Sequence, residues 1–401
     1  MEHIVALSFE HRIGNKIDGV YPEFPDLPHI SEWNLGIPFI GIPDKAHDAC
    51  SSIIQFTLPD PTSERGFVYG LAVYRAIEAS ELTKDPSIIR NQVQKSLCVI
   101  SKVPLYGELE KPLKSELYNN FENLVEKLPT IFDNLKNKIE NRKEFSGISY
   151  ATLFQALGVN VLTIIKALVM QKRILIFADN SEMVSKMTMA IGSLLPGYLG
   201  DEDSKFQFLG KKEKTFCFAP YVPLQFTDSL NNKDIKSALM GTCSELFMVQ
   251  KIVNYDLLVN ARNLPATITG EKRMFEPTLN ETKWMQNVLQ EMKKNWEKEE
   301  TSQWLREQFK IWFNTLITTI LNVRHINEGI PSFARIYLDW ELPNEFFGDK
   351  FIFELIHNKD IDKIIKENNK SAYSKIDESL LVKKNTFGRY FKQLKNKINK
   401  Q

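Results

Sequence analysis

The feature that most constrains this chain is a change of apolar rhythm at Pro104. Before it, runs rich in Val, Ile, Phe and Tyr recur at Ile4–Phe9, Lys16–Phe24, Ser52–Leu58, Gly66–Glu78 and Val93–Val103. Branched and aromatic side chains fit a pleated surface, and Gly14-Asn15 supplies a turn between the first two runs. After Pro104, Leu105, Leu109, Leu113, Leu117, Phe121, Leu124, Leu128 and Phe132 follow at steps of three and four. That step marks amphipathic helix, with a break expected near Pro129. Strands followed by helices describe one α/β lobe, ending in the Lys- and Asn-rich stretch 136–144. From the end of the second run to the third come Pro22, Pro25, Pro28, Pro38 and Pro43, a spacing that discourages a regular helix.

A second lobe is expected from about residue 147. A helix capped by Ser149 runs to Gln171, and Ile174-Leu175-Ile176-Phe177-Ala178 then reads as a strand buried on both faces. Asp179-Asn180-Ser181 caps a helix over 182–195, and further strands are expected at Phe216–Phe226 and Tyr255–Val259. Helix, buried strand and helix in sequence describe an α/β layer. From Lys283 the chain reads as helical, with Trp284, Trp296, Trp304 and Trp312 along it.

Composition excludes several functions. With 51 basic and 50 acidic residues the formal charge is +1, which offers no footprint for nucleic acid. Cys50, Cys98, Cys217 and Cys243 form no CxxC pair, so neither a zinc site nor a disulfide framework is expected, and a reducing compartment is. The first residues lack the basic and apolar regions of a signal peptide, and the apolar stretch Leu157–Met170 carries Lys166 and is too short to span a bilayer. No Walker loop, HExxH, GxSxG or dinucleotide glycine pattern occurs, and the six histidines show no metal-ligand spacing. No cofactor and no metal is expected.

Particular phrases resemble the DENN-module proteins, in their late secretory pathway branch. They are Glu32-Trp33-Asn34-Leu35-Gly36-Ile37-Pro38-Phe39-Ile40-Gly41-Ile42-Pro43-Asp44-Lys45-Ala46-His47, then Tyr69 to Ala79, then Val93 to Gly107. Lys172-Arg173-Ile174-Leu175-Ile176-Phe177, Gly241-Thr242 and Tyr255 to Asn260 are similar to the central segment of that family. The resemblance implies a longin-like antiparallel sheet with helices over 1–143, beside a DENN α/β lobe over 147–382 whose C-terminal part is helical. It also implies a Rab-type small GTPase gripped between the lobes, and a cytoplasmic protein peripheral to Golgi, endosomal or secretory-vesicle membranes. The longin sheet of the family carries a helix between its second and third strands; here the proline-rich interval predicts a short or missing one.

Under that resemblance the activity is guanine-nucleotide exchange, and Trp33, Asp44 and His47 are candidate contacts with the GTPase. A second reading of Trp33 is that it covers one face of the sheet, as large aromatics mostly do. The alternative activity is GTPase activation. Arg65-Gly66-Phe67 resembles the turn of folliculin and its relatives, and an arginine against the γ-phosphate speeds hydrolysis by roughly 10³–10⁵. The plainer reading of Arg65 is a solvated turn residue beside Glu64, and a third function is a scaffold that binds without changing the nucleotide state. Arg75 is expected to pair with Glu78 or a neighbouring strand. At the C-terminus, over 383–401, Lys383, Lys384, Arg389, Lys392 and Lys395 interleave with Phe387, Tyr390, Phe391 and Leu394. They read either as an interfacial helix on anionic lipid or as a packed helix with a solvated face.

Overall fold

Gly14 adopts φ 89°, a left-handed conformation that closes the first hairpin without a Cβ penalty. It joins β1 (His3–Glu10) to β2 (Gly14–Tyr21). The computed structural model describes residues 1–46, 50–63, 66–81, 92–139, 147–195, 216–294, 299–327 and 346–358. β3 (Ser51–Pro59), β4 (Phe67–Glu78) and β5 (Gln92–Ser101) complete an antiparallel sheet of order β2-β1-β5-β4-β3. His47, Arg65 and the whole stretch 383–401 lie outside the described residues.

Two helical layers cover this sheet. The proline-rich interval does form a helix, α1 (Ile30–Gly41), with Pro38 inside it. Propensity loses there because Ile30, Trp33, Ile37 and Ile40 make a buried stripe on the sheet. Gly41 lets the helix end press on Leu7 and Cys98, where a Cβ would stand 2.2 Å from Leu7 Cδ1. On the opposite face lie α2 (Tyr106–Asn119) and α3 (Leu124–Ile139). The break falls at 120–123, before Pro129, which is accommodated inside α3. Lys95 explains the position: its Nζ takes the carbonyls of Phe121 at 2.7 Å and Glu122 at 3.2 Å, oxygens a continuous helix would need. Arg75 joins it, stacked 3.9 Å over the Tyr118 ring; its partner is this aromatic corner and not Glu78.

The second sheet is mostly parallel. Gly158, at φ 51°, splits the expected long helix into α4 (Ala151–Leu157) and α5 (Val161–Val169), and Tyr150, not Ser149, is the capping position. β6 (Arg173–Phe177) follows, then α6 (Ser181–Ser193), whose N-cap Asn180 accepts the Met183 N–H at 2.7 Å. β7 (Phe216–Ala219) stops at Pro220, short of Phe226. Next come α7 (Thr227–Leu230), β8 (Ser237–Thr242), α8 (Leu246–Val249), β9 (Leu257–Asn260) and β10 (Thr267–Gly270). The order is β10-β9-β6-β8-β7, with β6 paired in parallel to β8 and β9, and β10 antiparallel to β9. The fold is thus mixed α/β, with two sheets and several helices.

The stretch Ala151–Val169 is long and apolar enough to cross a membrane by composition, yet α4 and α5 are packed inside this lobe. Lys166 of α5, 1% exposed, reaches Glu281 at 2.9 Å. Glu281 opens α9 (Leu279–Lys294), where it and Thr278 exchange hydrogen bonds: the Thr278 N–H goes to Glu281 Oε2 at 2.8 Å, and the Glu281 N–H to Thr278 Oγ1 at 3.0 Å. α10 (Glu299–Asn327) contributes buried Trp312, and α11 (Asp349–His357) places Phe351 under the Lys166 ammonium at 4.5 Å. One apolar core therefore runs from the second sheet through these helices.

Candidate functional site

An outermost strand presents unpaired backbone groups, and a protein that leaves them open invites stray pairing. β3 solves this with side chains from α6. The Ile53 N–H donates to Glu182 Oε2 at 3.2 Å and the Gln55 N–H to Ser185 Oγ at 3.2 Å. The Ser52 and Ser181 hydroxyls meet at 2.8 Å, and Thr57 Oγ1 donates to the Phe218 carbonyl of β7 at 2.7 Å. Alternate strand N–H groups face one way, so residues one helical turn apart on α6 can reach them. Farther along the joint, Lys186 of α6 lies 3.3 Å from Glu110 of α2.

Beside this joint opens a groove of ≈ 790 Å³ walled by both lobes. The first lobe contributes Pro43 to Ala46, Ser51, Ser52 and Tyr74; the second contributes Ser149, Thr152, Asp179 to Met183 and Lys186. Asp179 follows the carboxyl end of β6, the side of a parallel sheet where ligands commonly bind. Next to it, Arg262, just past β9, donates to Asp179 at 2.9 Å and also pairs with Glu245, which follows β8. Lys45 lies 3.9 Å from the same Glu245. The charges around the groove are thus shared among neighbours in a half-exposed network. Among the described residues no three His, Cys, Asp or Glu side chains gather as metal ligands. Burial raises the thiols, Cys98 to about 12 and Cys217 and Cys243 to about 11, so none of these three is ionised near neutrality. The arrangement offers shape and charge for recognition.

The predicted residues are placed as follows. Asp44 lines the groove, and burial raises its carboxyl above the usual range, against the lowering effects of the Leu224 N–H and Lys45. Trp33 is 4% exposed, with its Nε1–H on the Pro59 carbonyl at 2.7 Å and its ring against Phe24 and His29. It belongs to the apolar core, while its neighbour Leu35 is exposed. Leu35 precedes Gly36, which abuts Phe226 of the second lobe. Glu182, Ser185, Lys186, Tyr221, Leu224, Glu245 and Arg262 were not singled out from the sequence. The polar stripe Ser181, Ser185 and Thr188 on an otherwise apolar helix was the one available signal.

Comparison with known proteins bears on this geometry. Residues 1–205 and 206–320 match the family model described as "Transport protein Avl9". The chain is 26% identical over 360 residues to the "Late secretory pathway protein avl9" of Schizosaccharomyces pombe, covering 79% of this chain and 76% of that protein. It is 22% identical over 395 residues to the "Late secretory pathway protein AVL9" of Saccharomyces cerevisiae, again 79% of this chain but 51% of that longer protein.

Proposed function

This chain belongs to the Avl9 transport-protein family, and on that premise we propose that it controls a Rab-type small GTPase in late secretory vesicle traffic, as a guanine-nucleotide exchange factor. The relatives are named for the late secretory pathway, which agrees with a role in trafficking. One observation carries the finer reading. A single groove is walled by an antiparallel sheet on one side and by the carboxyl edge of a parallel sheet on the other. We assign residues 1–143 to a longin-like unit, 147–382 to a DENN-type unit and 383–401 to a basic tail.

Exchange needs no bond chemistry. A protein that prefers the nucleotide-free GTPase must, by linkage, weaken nucleotide binding in the complex by the same factor, typically 5–150-fold for a coupling of about 1–3 kcal/mol. A broad groove serves that task because it can hold a partner's surface in one arrangement and not in another. The test is release of labelled GDP from a panel of Rab-type GTPases with the full chain added. Faster release from at least one member is the expected result. Failure of every member to bind, loaded or empty, overturns the reading.

Activation of hydrolysis is a second reading, favoured by the likeness of Arg65-Gly66-Phe67 to the turn of folliculin and its relatives. The same panel separates it, since phosphate release would rise by roughly 10³–10⁵ and the gain would vanish in Arg65→Ala. Binding without either effect leaves a scaffold. The tail suits an anionic membrane surface, at about 1 kcal/mol per basic residue near it. Liposome co-sedimentation of the full chain against one ending at Glu378 reads that contribution, and equal binding removes it.

A further inference from the structure

Open α/β sheets usually hold a ligand in the crevice outside the carboxyl ends of their strands, where connections diverge to either side. β6 is the strand of divergence here, flanked by β8 on one side and β9 on the other. Part of that crevice is filled by the molecule's own first lobe. The Asp44 N–H donates to the Tyr221 hydroxyl at 2.8 Å, and Asp44 Oδ2 accepts the Leu224 N–H at 3.0 Å. The Asp44 carbonyl accepts from Cys243 Sγ at 3.5 Å, directly after the end of β8. Tyr221 and Cys243 are both buried. N–H, carbonyl and carboxylate of one residue thus all reach the other lobe.

The next residue is held out of its ordinary conformation. Lys45 has φ 62°, a left-handed backbone that a residue with a Cβ keeps only where its surroundings enforce it. It directly follows the gripped Asp44, and its Nζ lies 3.9 Å from Glu245. This loop is also a wall of the groove, through Pro43, Asp44, Lys45 and Ala46.

We propose that Asp44 is a positioning residue: it acts as an internal ligand of the second sheet's carboxyl edge, and its grip fixes the spacing of the lobes and so the width of the groove. What that width does for a GTPase rests on the function proposed above; the grip itself does not.

The test uses the full chain with Cys50→Ser, since Cys50 is exposed, and spin labels at Glu32→Cys on α1 and Gln250→Cys after α8, both exposed positions. Pulsed distance measurement on Asp44→Ala should show a longer and broader inter-label distribution. Asp44→Asn retains an oxygen for the Leu224 N–H and should stay closer to the parent. If Asp44→Ala fails to fold, Tyr221→Phe removes only the hydroxyl that accepts the Asp44 N–H and should broaden the distribution to a smaller degree. A distribution unchanged in both Asp44→Ala and Tyr221→Phe overturns the proposal, whether or not a GTPase binds. Where a GTPase does bind the parent, a groove at the right width only about a tenth of the time lowers apparent affinity about tenfold. Broadening with no GTPase bound by any form leaves the grip standing and removes the function.

Discussion

Lys166 and Lys186 each lie 2.9 Å from a glutamate, Glu281 and Glu182, yet the two pairs sit in different surroundings. The first pair is sealed inside the second lobe, at 1% and 0% exposure; the second lies at the joint between lobes, at 18% and 39%. Removing charges from water costs several kcal/mol per ion, and in a sealed pair nothing replaces the lost charge if one member is removed. At the joint, water can replace either side chain. The same chemistry therefore makes a fixed connection between α5 and α9, and an adjustable one at the joint, where Lys186 is held by Glu182 on its own helix and lies 3.3 Å from Glu110 across the joint.

The largest effect should come from breaking the sealed pair. Lys166→Met leaves the Glu281 carboxylate buried without its cation and should lower stability by about 3–5 kcal/mol in denaturant unfolding. Adding Glu281→Gln should restore most of the loss, because the amide oxygen still accepts the Thr278 N–H and no charge is left buried. A loss below about 1 kcal/mol in the single variant would make this pair no different from a surface one and dissolve the contrast.

At the joint, Glu182→Ala strips the acceptor from the Ile53 N–H, and Ser185→Ala does the same to Gln55. An unsatisfied buried donor costs about 1–3 kcal/mol, with the lower end expected where water can enter. Amide hydrogen exchange should speed up at Ile53 in the first variant and at Gln55 in the second, while exchange in β9 stays unchanged. Acceleration in both lobes together would mean that the joint is as rigid as the interior.

Much of this was legible in the chain, and the failures have identifiable causes. The antiparallel strands declared themselves because Ile53, Ile54, Phe56, Val68, Tyr69, Val73 and Tyr74 pack on a sheet built from neighbours in sequence. β8 did not, because Ser237-Ala238-Leu239-Met240-Gly241-Thr242 lacks β-branched residues until its end. Its small residues serve close packing: a Cβ at Gly241 would stand 2.3 Å from the Pro220 carbonyl and 2.5 Å from Thr188 Oγ1. α1 was hidden by Pro38, since propensity alone does not weigh the stripe that Trp33 and Ile37 bury. Asp44 stood out in the sequence, but its task did not. Its partners Tyr221, Leu224 and Cys243 come from a lobe whose placement no local pattern reveals.

Acidity should separate the two pairs by the pH window in which each acts. Burial raises the Glu281 carboxyl above its ordinary value, more than the Lys166 charge and the Thr278 N–H lower it. The folded state then holds a proton that the unfolded state has released, so stability falls as pH rises from about 4.3 through the folded value. Asp44 is raised by burial in the same direction, so Glu281→Gln and Asp44→Asn should each remove part of that fall with rising pH. Lys186 shows the same sign in a far more alkaline window, and for a different reason. Burial alone would lower it, but the Glu182 hydrogen bond and the Glu110 charge together raise it. Its contribution is complete below the unfolded value near 10.4 and is lost as pH climbs through the folded one.

The smallest effect is the most informative about the joint. Lys186→Ala removes the cation that Glu182 and Glu110 share, one on its own helix and one across the joint. Partly exposed pairs are worth about 0–1 kcal/mol, so unfolding should barely register the change. Salt should matter more than the total suggests. Raising ionic strength shortens screening from about 8 Å at 0.15 M to about 3 Å at 1 M, which should erase the difference between parent and variant. The Ser52–Ser181 and Gln55–Ser185 contacts carry no charge and should persist at high salt, keeping the lobes together. A variant that lost its lobe contacts at 1 M salt would instead place the strength of the joint in its charges, and the groove would then open with ionic strength and not with partner fit.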